Sequence, residues 1–182
     1  LFIVGFYYHY VYAIGCKLAR LFNHRLDSIF TEARKSIFGG GKTLNAFSGL
    51  SSPYNHGNQP SLHISWLFNF SGKPHLTQKW TRLICDEFYG VTGEHGYGYG
   101  QDEDQGQLGA WYVMSAIGLF DVKGLTEKEP QLQIGSPIFD KIEIALSDSY
   151  YGGGSFVIET INNSKENVYV QSISLNGNLQ DS

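Results

Sequence analysis

The hydrophobic pattern of this 182-residue chain changes its period near Phe120, and that change limits the folds the chain can adopt. Before Phe120 the apolar residues recur at intervals of three and four, which is the spacing of one helix face. After it, short alternating or β-branched segments are separated by glycine, proline and asparagine turns. Helices followed by strands predict an α+β chain whose strands pair in an antiparallel manner.

Helical spacing is clearest in three segments, residues 17–33, 77–89 and 108–119. A further helix is expected after Pro60, because proline suits the first helical position and apolar residues follow it at helical intervals. Only residues 71–74 separate this helix from the next, so the two are expected to be antiparallel neighbours.

The strand region follows the helices. Strands are predicted at residues 131–134, 141–146, 155–160 and 167–175. The chain therefore divides into an unassigned apolar segment (1–16), a helical part (17–122) and a C-terminal strand region (123–182).

A loop rich in glycine and tyrosine leads into three acidic residues, Asp102, Glu103 and Asp104, just before the helix that starts near Leu108. In an extended loop Asp102 and Asp104 point to the same side, whereas Glu103 points away. Two carboxylates on one face suit a hard cation or paired acid–base catalysis. A solvated helix N-terminus with acidic first-turn residues explains the triplet equally well, so both interpretations stay open.

A second polar segment contains His56, Asn58 and Gln59, just before the helix that follows Pro60. Side chains at a helix N-terminus either face a pocket or cap the free N–H groups of the first turn. By itself, this segment is more typical of capping than of ligand binding.

Composition narrows the classes of partner. The net charge is −4, which leaves no basic surface for nucleic acid. Aromatic residues make up 15% of the chain, and their rings serve core packing, the commoner role, or stacking on sugar rings. Cys16 and Cys85 form no metal-binding motif and are either free thiols or one disulfide.

Residues 1–15 are apolar and aromatic, with no initiator methionine and no basic flank. The stretch is too short for a typical membrane span and lacks the basic region of a signal peptide. We therefore expect no membrane association, and we interpret the chain as a fragment from within a longer protein or as the product of a truncated gene model.

Five blocks of residues, taken in their order along the chain, point to a known family. They are His56-Gly57-Asn58-Gln59-Pro60-Ser61, Gly72-Lys73-Pro74 with Thr77-Gln78-Lys79-Trp80, Asp86-Glu87-Phe88-Tyr89, Asp102-Glu103-Asp104-x-Gly106-Gln107 with Ala110-Trp111-Tyr112-Val113, and Gly135-Ser136-Pro137-x-Phe139-Asp140-Lys141. From about Leu18 to its end, the chain resembles the C-terminal part of glycoside hydrolase family 92, the calcium-dependent exo-acting α-mannosidases.

The resemblance implies an N-terminal β-sandwich followed by an (α/α)6 barrel, with the active site between them. Residues 17–122 would then be the last helices of the barrel, and residues 123–182 the antiparallel strands after it. The β-sandwich and the remaining barrel would lie outside this chain, so we expect the fragment alone to be inactive. The implied substrate is a mannose-containing glycan, and the implied location is secreted, either extracellular or periplasmic.

The resemblance also assigns roles to residues of the two polar segments. In this family, hydrolysis inverts the anomeric centre, and Asp104 matches the general base with Asp102 as its partner. Asn58 and Gln59 match positions that bind Ca²⁺, and the proton donor is expected upstream of this chain. The residues expected to bind the substrate are His56, Gln59, Glu103 and Trp66.

One position departs from the family pattern. The family usually has glutamate where this chain has Gln59, and glutamine keeps a carbonyl oxygen but loses the negative charge. This change is expected to weaken calcium binding or to alter which sugar group is held. The alternative interpretations are a catalytically inactive carbohydrate-binding relative and a truncated, non-functional fragment.

Overall fold

The computed structural model describes residues 16–40, 52–90 and 106–180. Helices occur in the three segments where the apolar spacing is clearest, and short antiparallel strands follow, which confirms the α+β class. The helices are α1 (Cys16–Arg34), α2 (Leu67–Phe70), α3 (Pro74–Glu87), α4 (Gln107–Ala116) and α5 (Asp148–Tyr151). The partition at residues 16 and 122 stays a prediction.

The prediction of a single helix after Pro60 is wrong for the first half of that segment. Two 3₁₀ turns, Gln59–Ser61 and Ile64–Trp66, precede the short helix α2. Serine, histidine and β-branched isoleucine are weak helix formers, and four of the residues from 61 to 65 are of these types. The chain therefore closes tighter i→i+3 turns here, such as the bond from Trp66 N–H to the His63 carbonyl (3.0 Å).

Aromatic side chains form the core of the helical part. Phe30 of α1 stacks on Trp80 of α3, with ring centroids 5.3 Å apart, and also contacts Tyr54 at 4.5 Å. Phe68 of α2 lies 6.0 Å from Phe30 and is fully buried. Core packing, which the sequence favoured for most of the aromatic residues, is thus what these rings do.

Side-chain bonds show that α1 and α3 run in the same direction. Asn23 donates to the Ser71 carbonyl just before α3, and Asp27 accepts from the Trp80 indole N–H at 2.8 Å. Further along both helices, Arg34 donates to Glu87 at 2.9 Å. Partners advance together along the two helices, so the helices are parallel neighbours.

Helix α4 runs opposite to α3. The start of α4 lies at the end of α3, where the Tyr89 hydroxyl donates to the Leu108 carbonyl at 3.0 Å. The end of α4 lies further back along α3: Ala116 accepts from Ile138 N–H at 2.9 Å, while Arg82 of α3 donates to the Pro137 carbonyl.

The strands form three antiparallel pairs in the part of the chain that the structure describes. They are β1 (Leu119–Phe120) with β2 (Gln133–Ile134), β3 (Lys141–Ala145) with β4 (Ser155–Glu159), and β5 (Ile173–Leu175) with β6 (Asn178–Gln180). The strand predicted over residues 167–175 is realised only in its last three residues. Upstream of them, the Val170 N–H donates to the Gln78 side chain of α3 at 3.0 Å instead of to a neighbouring strand.

Arg82 attaches the strand region to the helices. Its guanidinium donates to the Pro137 carbonyl, to the Asn163 side chain at 3.2 Å and to the Ser164 carbonyl at 2.8 Å. Because a guanidinium offers several donors in a fixed plane, one residue can hold two separate turns against α3. Among the helices in the described residues, none combines the length and hydropathy needed to cross a membrane.

Candidate functional site

The predicted site divides between described and undescribed residues. Asp102, Glu103 and Asp104 lie outside the described residues, so their roles stay predictions. The described chain resumes at Gly106, one residue before α4, whose first turn therefore follows the acidic triplet closely. The loop of residues 52–59, here called the amide loop because it carries Asn58 and Gln59, is described in full.

The amide loop is fixed against the 3₁₀ turn Ile37–Gly39 that follows α1. The His56 backbone N–H donates to the Phe38 carbonyl at 2.8 Å, and the Asn55 side chain closes the turn by accepting from Gly57 N–H at 3.0 Å. Gly39 faces this turn with φ of +85°, and a Cβ there would lie 2.7 Å from Asn55 Oδ1. Only glycine meets both demands, so the glycine run after α1 allows the loop to approach this closely.

His56 lies beneath the loop surface and is held from both sides. Its Nδ1 is 2.7 Å from the Tyr54 hydroxyl and its Nε2 is 2.8 Å from the Tyr89 hydroxyl. Phe88 and Trp111 enclose the ring, with centroids at 4.8 and 4.2 Å. His56 is 0% exposed. Its predicted contact with a sugar therefore stays a prediction that this placement does not support.

Burial decides the charge state of these groups. It lowers the pKa of His56 to about 3, because the enclosed site disfavours the imidazolium ion. It also raises the pKa of Tyr54, whose phenolate would be equally poorly solvated. At neutral pH both groups are therefore uncharged hydrogen-bonding partners, and neither is poised for proton transfer to a substrate.

Asn58 does not cap the 3₁₀ turn that follows it. The turn Gln59–Ser61 has Asn58 at its N-cap position without a side-chain hydrogen bond, so the capping interpretation is not realised for this residue. Asn58 is exposed, and it lines an open cleft of about 240 Å³ together with Tyr54, Asn55 and Ser61, among others. The polar end of the amide loop therefore faces accessible space.

The chemistry of Asn58 and Gln59 fits a calcium ion. Their side-chain amides supply neutral oxygen donors, which hard cations accept alongside carboxylates. Within residues 16–40, 52–90 and 106–180, no group of three His, Cys, Asp or Glu side chains is arranged to hold a metal. Carboxylate ligands for such an ion would therefore have to come from outside these residues.

Trp66 lies in the packing between α2 and the strand region. Its ring stacks on Phe120, with centroids 5.1 Å apart and planes 15° from parallel. A Cβ on Gly135 would lie 2.7 Å from Trp66 Cη2, which explains the glycine of the Gly135-Ser136-Pro137 block. Trp66 is 0% exposed, so its predicted stacking on a sugar also stays a prediction without support from its placement.

The two tyrosines that bond to His56 are not among the site residues that the sequence predicts. Tyr54 lies two residues before the histidine, a spacing that could have suggested a local pair. Tyr89 lies 33 residues further on, and its approach depends on how the end of α3 packs, for which the sequence carries no local signal.

These features define a polar cleft at the end of the amide loop, on a scaffold of packed helices. Comparison with known proteins gives the class: the chain belongs to glycosyl hydrolase family 92, whose catalytic domain matches residues 15–182. An uncharacterized secreted glycosidase of Arthroderma benhamiae is 28% identical to it over 123 residues. That match covers 66% of this chain but only 15% of the relative, so the chain spans a small part of that relative's length.

Proposed function

We propose that this chain is part of the catalytic domain of a glycosidase that removes terminal α-linked mannose from glycans by calcium-dependent, inverting hydrolysis. The observation that carries the proposal is the match of residues 15–182 to the family 92 catalytic domain. The five sequence blocks around the amide loop, α3, α4 and residues 135–141 support it.

In the proposed reaction, Asp104 acts as the general base and Asp102 orients it. Asp104 removes a proton from a water molecule, and the water oxygen forms a bond to the anomeric carbon of mannose. The bond from that carbon to the leaving oxygen breaks on the opposite face. A carboxylic acid from outside this chain protonates the leaving oxygen, which completes an inverting displacement.

Asn58 and Gln59 would hold the calcium ion at the end of the amide loop, with Gln59 and Glu103 also contacting the sugar. A bound divalent cation supplies positive charge next to the sugar hydroxyls. Asn58 supports this proposal directly, because its exposed side chain faces the open cleft instead of capping the turn.

The helix directions support an (α/α)6 barrel for the whole domain. Parallel α1 and α3, with α4 running the opposite way, fit a barrel of two helical layers with opposite directions. The remaining barrel and a β-sandwich would belong to other parts of the full-length protein. The name of the A. benhamiae relative supports secretion to the extracellular space or periplasm.

The test follows both product and metal in the full-length protein that contains this chain. Proton NMR during hydrolysis of an α-mannosyl disaccharide is expected to show β-mannose as the first sugar released, before mutarotation. A chelator is expected to stop the release, and added Ca²⁺ to restore it. α-Mannose as the first product would refute inversion, and full activity in chelator would refute calcium dependence.

Gln59 favours a second candidate, a carbohydrate-binding relative that has lost hydrolysis. This candidate predicts that the full-length protein binds α-mannosides without releasing mannose. It also predicts that Gln59→Glu, which restores the carboxylate, tightens Ca²⁺ binding and creates activity. Mannose release by the unmodified protein would eliminate this candidate.

A further inference from the structure

Three buried side chains form a continuous hydrogen-bonded chain, here called the tyrosine–histidine relay. Tyr54 bonds to His56 Nδ1 at 2.7 Å, and His56 Nε2 bonds to the Tyr89 hydroxyl at 2.8 Å. The Tyr89 hydroxyl in turn bonds to the Leu108 carbonyl at 3.0 Å. Tyr54 is 3% exposed and Tyr89 is 8% exposed, so water competes little for these bonds.

The last bond fixes the direction of all the others. A carbonyl oxygen can only accept, so Tyr89 uses its one hydroxyl proton on Leu108. The Tyr89 oxygen must then accept from His56, which places the imidazole proton on Nε2. Nδ1 of the neutral ring is left as an acceptor, so Tyr54 must donate to it.

The relay joins the amide loop to the first turn of α4, the helix that follows the acidic triplet in the sequence. Tyr54 and His56 belong to the amide loop, and His56 lies two residues before Asn58. At the other end, Leu108 lies in the first turn of α4, four residues after Asp104. Tyr89, two residues after the end of α3, is the side chain that connects the amide loop with Leu108.

We infer that the relay sets the position of the first turn of α4 relative to the amide loop, and that His56 and Tyr89 are positioning residues for the hydrolysis. This inference rests on the proposed function. Both side chains are buried, so each would act by holding the backbone of the amide loop or of the first turn of α4 in place. The imidazole proton must be on Nε2. With the proton on Nδ1, both His56 Nε2 and the Leu108 carbonyl would be acceptors, and the single hydroxyl proton of Tyr89 cannot serve both.

Tyr89→Phe tests the positioning role in the full-length protein. This variant keeps the ring and removes the hydroxyl that reaches Leu108. We expect kcat to fall by about 10- to 100-fold, because small misplacements of catalytic groups cost this much, while KM changes by less than about threefold. Thr81→Val is the control, since it removes a buried hydroxyl of α3 that bonds within the helix to the Thr77 carbonyl at 2.8 Å.

The comparison separates positioning from general destabilisation. A loss of kcat in Tyr89→Phe, but not in Thr81→Val at a similar loss of thermal stability, supports the inference. Equal kcat values in the two variants would overturn it. A crystal structure of Tyr89→Phe is expected to show the Leu108 backbone displaced from His56 by more than about 0.5 Å, the tolerance within which catalytic geometry must be held.

Neutron diffraction from the perdeuterated, unmodified protein tests the direction of the relay without any variant. Deuterium is expected on His56 Nε2, not on Nδ1, and the Tyr89 deuteron is expected to point to Leu108. Deuterium on Nδ1 would overturn the relay. If the unmodified protein releases no mannose, the proposed function fails, and the displacement of Leu108 in Tyr89→Phe still decides the positioning claim.

Discussion

Burial determines the chemistry of several individual side chains in this chain more than neighbouring charges do. Desolvation is the largest cause of the raised pKa of Cys85, and also of the lowered pKa of His56 and the raised pKa of Tyr54. In each case the uncharged form is favoured, because the low-dielectric interior solvates ions poorly. These residues therefore act through packing and hydrogen bonds, and the charged chemistry of the proposed site is left to Asp102 and Asp104.

Cys85 is predicted to be an unreactive thiol in the folded protein. It is free and buried, and burial raises its pKa to about 12. Since the thiolate is the nucleophile, labelling by iodoacetamide at pH 8 should be far slower than for an exposed cysteine. Its rate should still rise about tenfold per pH unit above pH 9, where an ordinary thiol levels off.

Mass spectrometry of the peptide containing Cys85 measures this rate, with the urea-unfolded protein as the reference. Unfolding should restore ordinary reactivity. Labelling of folded Cys85 as fast as in urea would contradict the buried placement.

At the scale of the elements, Asp27 holds α1 and α3 together. Its Oδ1 accepts from the Trp80 indole at 2.8 Å and from Lys79 at 3.2 Å. We predict that Asp27→Ala lowers the free energy of unfolding by about 1–3 kcal/mol, because the N–H of Trp80, a residue only 1% exposed, loses its acceptor. Urea unfolding followed by tryptophan fluorescence gives this value.

Glu32→Ala is the matched control for Asp27→Ala, since it removes another carboxylate of α1. Glu32 pairs with Lys35 on the exposed side of the helix, and such a surface pair contributes about 0–1 kcal/mol. Equal losses of stability in the two variants would show that Asp27 does not hold the helices together.

Replacing Gly135 by alanine tests the contact between Trp66 and the strand region. Gly135→Ala would place a Cβ 2.7 Å from Trp66 Cη2, so the indole or the strand must move, at a cost of about 1–3 kcal/mol. For Gly109→Ala in α4, no neighbouring atom of the described residues lies within 4 Å of the new Cβ, and the variant should stabilise the protein by about 0.5–1 kcal/mol, because alanine favours the helix. Thermal unfolding measures both, and a stabilising effect of Gly135→Ala would contradict the observed contact.

The elements differ in how far the sequence predicts them. Helices α1 and α3 follow from a sustained apolar period that local sequence carries well. The region from 59 to 70 does not, because weak helix formers shift the balance towards 3₁₀ turns. Residues 167–172 have strand-like composition, but the Val170 N–H donates its hydrogen bond to the Gln78 side chain of α3 instead of to a neighbouring strand.

The same limit applies to the candidate site. Asn58 and Gln59 could be identified from their place before Pro60 and from the family pattern. The buried state of His56 and Trp66 could not, because it depends on Tyr89, Trp111, Phe120 and Gly135, which approach from other elements. Residue type identifies candidate ligands, whereas tertiary packing decides which of them reach the surface.

At the scale of the whole molecule, residues 15–182 match the family 92 catalytic domain. The match to the A. benhamiae glycosidase covers 15% of that protein. Within the chain, the tyrosine–histidine relay connects the amide loop with the start of α4. In the proposed mechanism, the general base belongs to this chain and the proton donor to another part of the full-length protein.

The most direct test compares mannose release from an α-mannosyl disaccharide by the full-length protein and by its Asp104→Asn variant. Asparagine has nearly the same shape but cannot accept a proton from water, so we predict a loss of kcat of about 10²- to 10⁴-fold with folding unchanged. Asp140→Asn, at an exposed position before β3, should retain full activity. Unchanged mannose release by Asp104→Asn would contradict the assignment of the base, and with it the central role given to the acidic triplet.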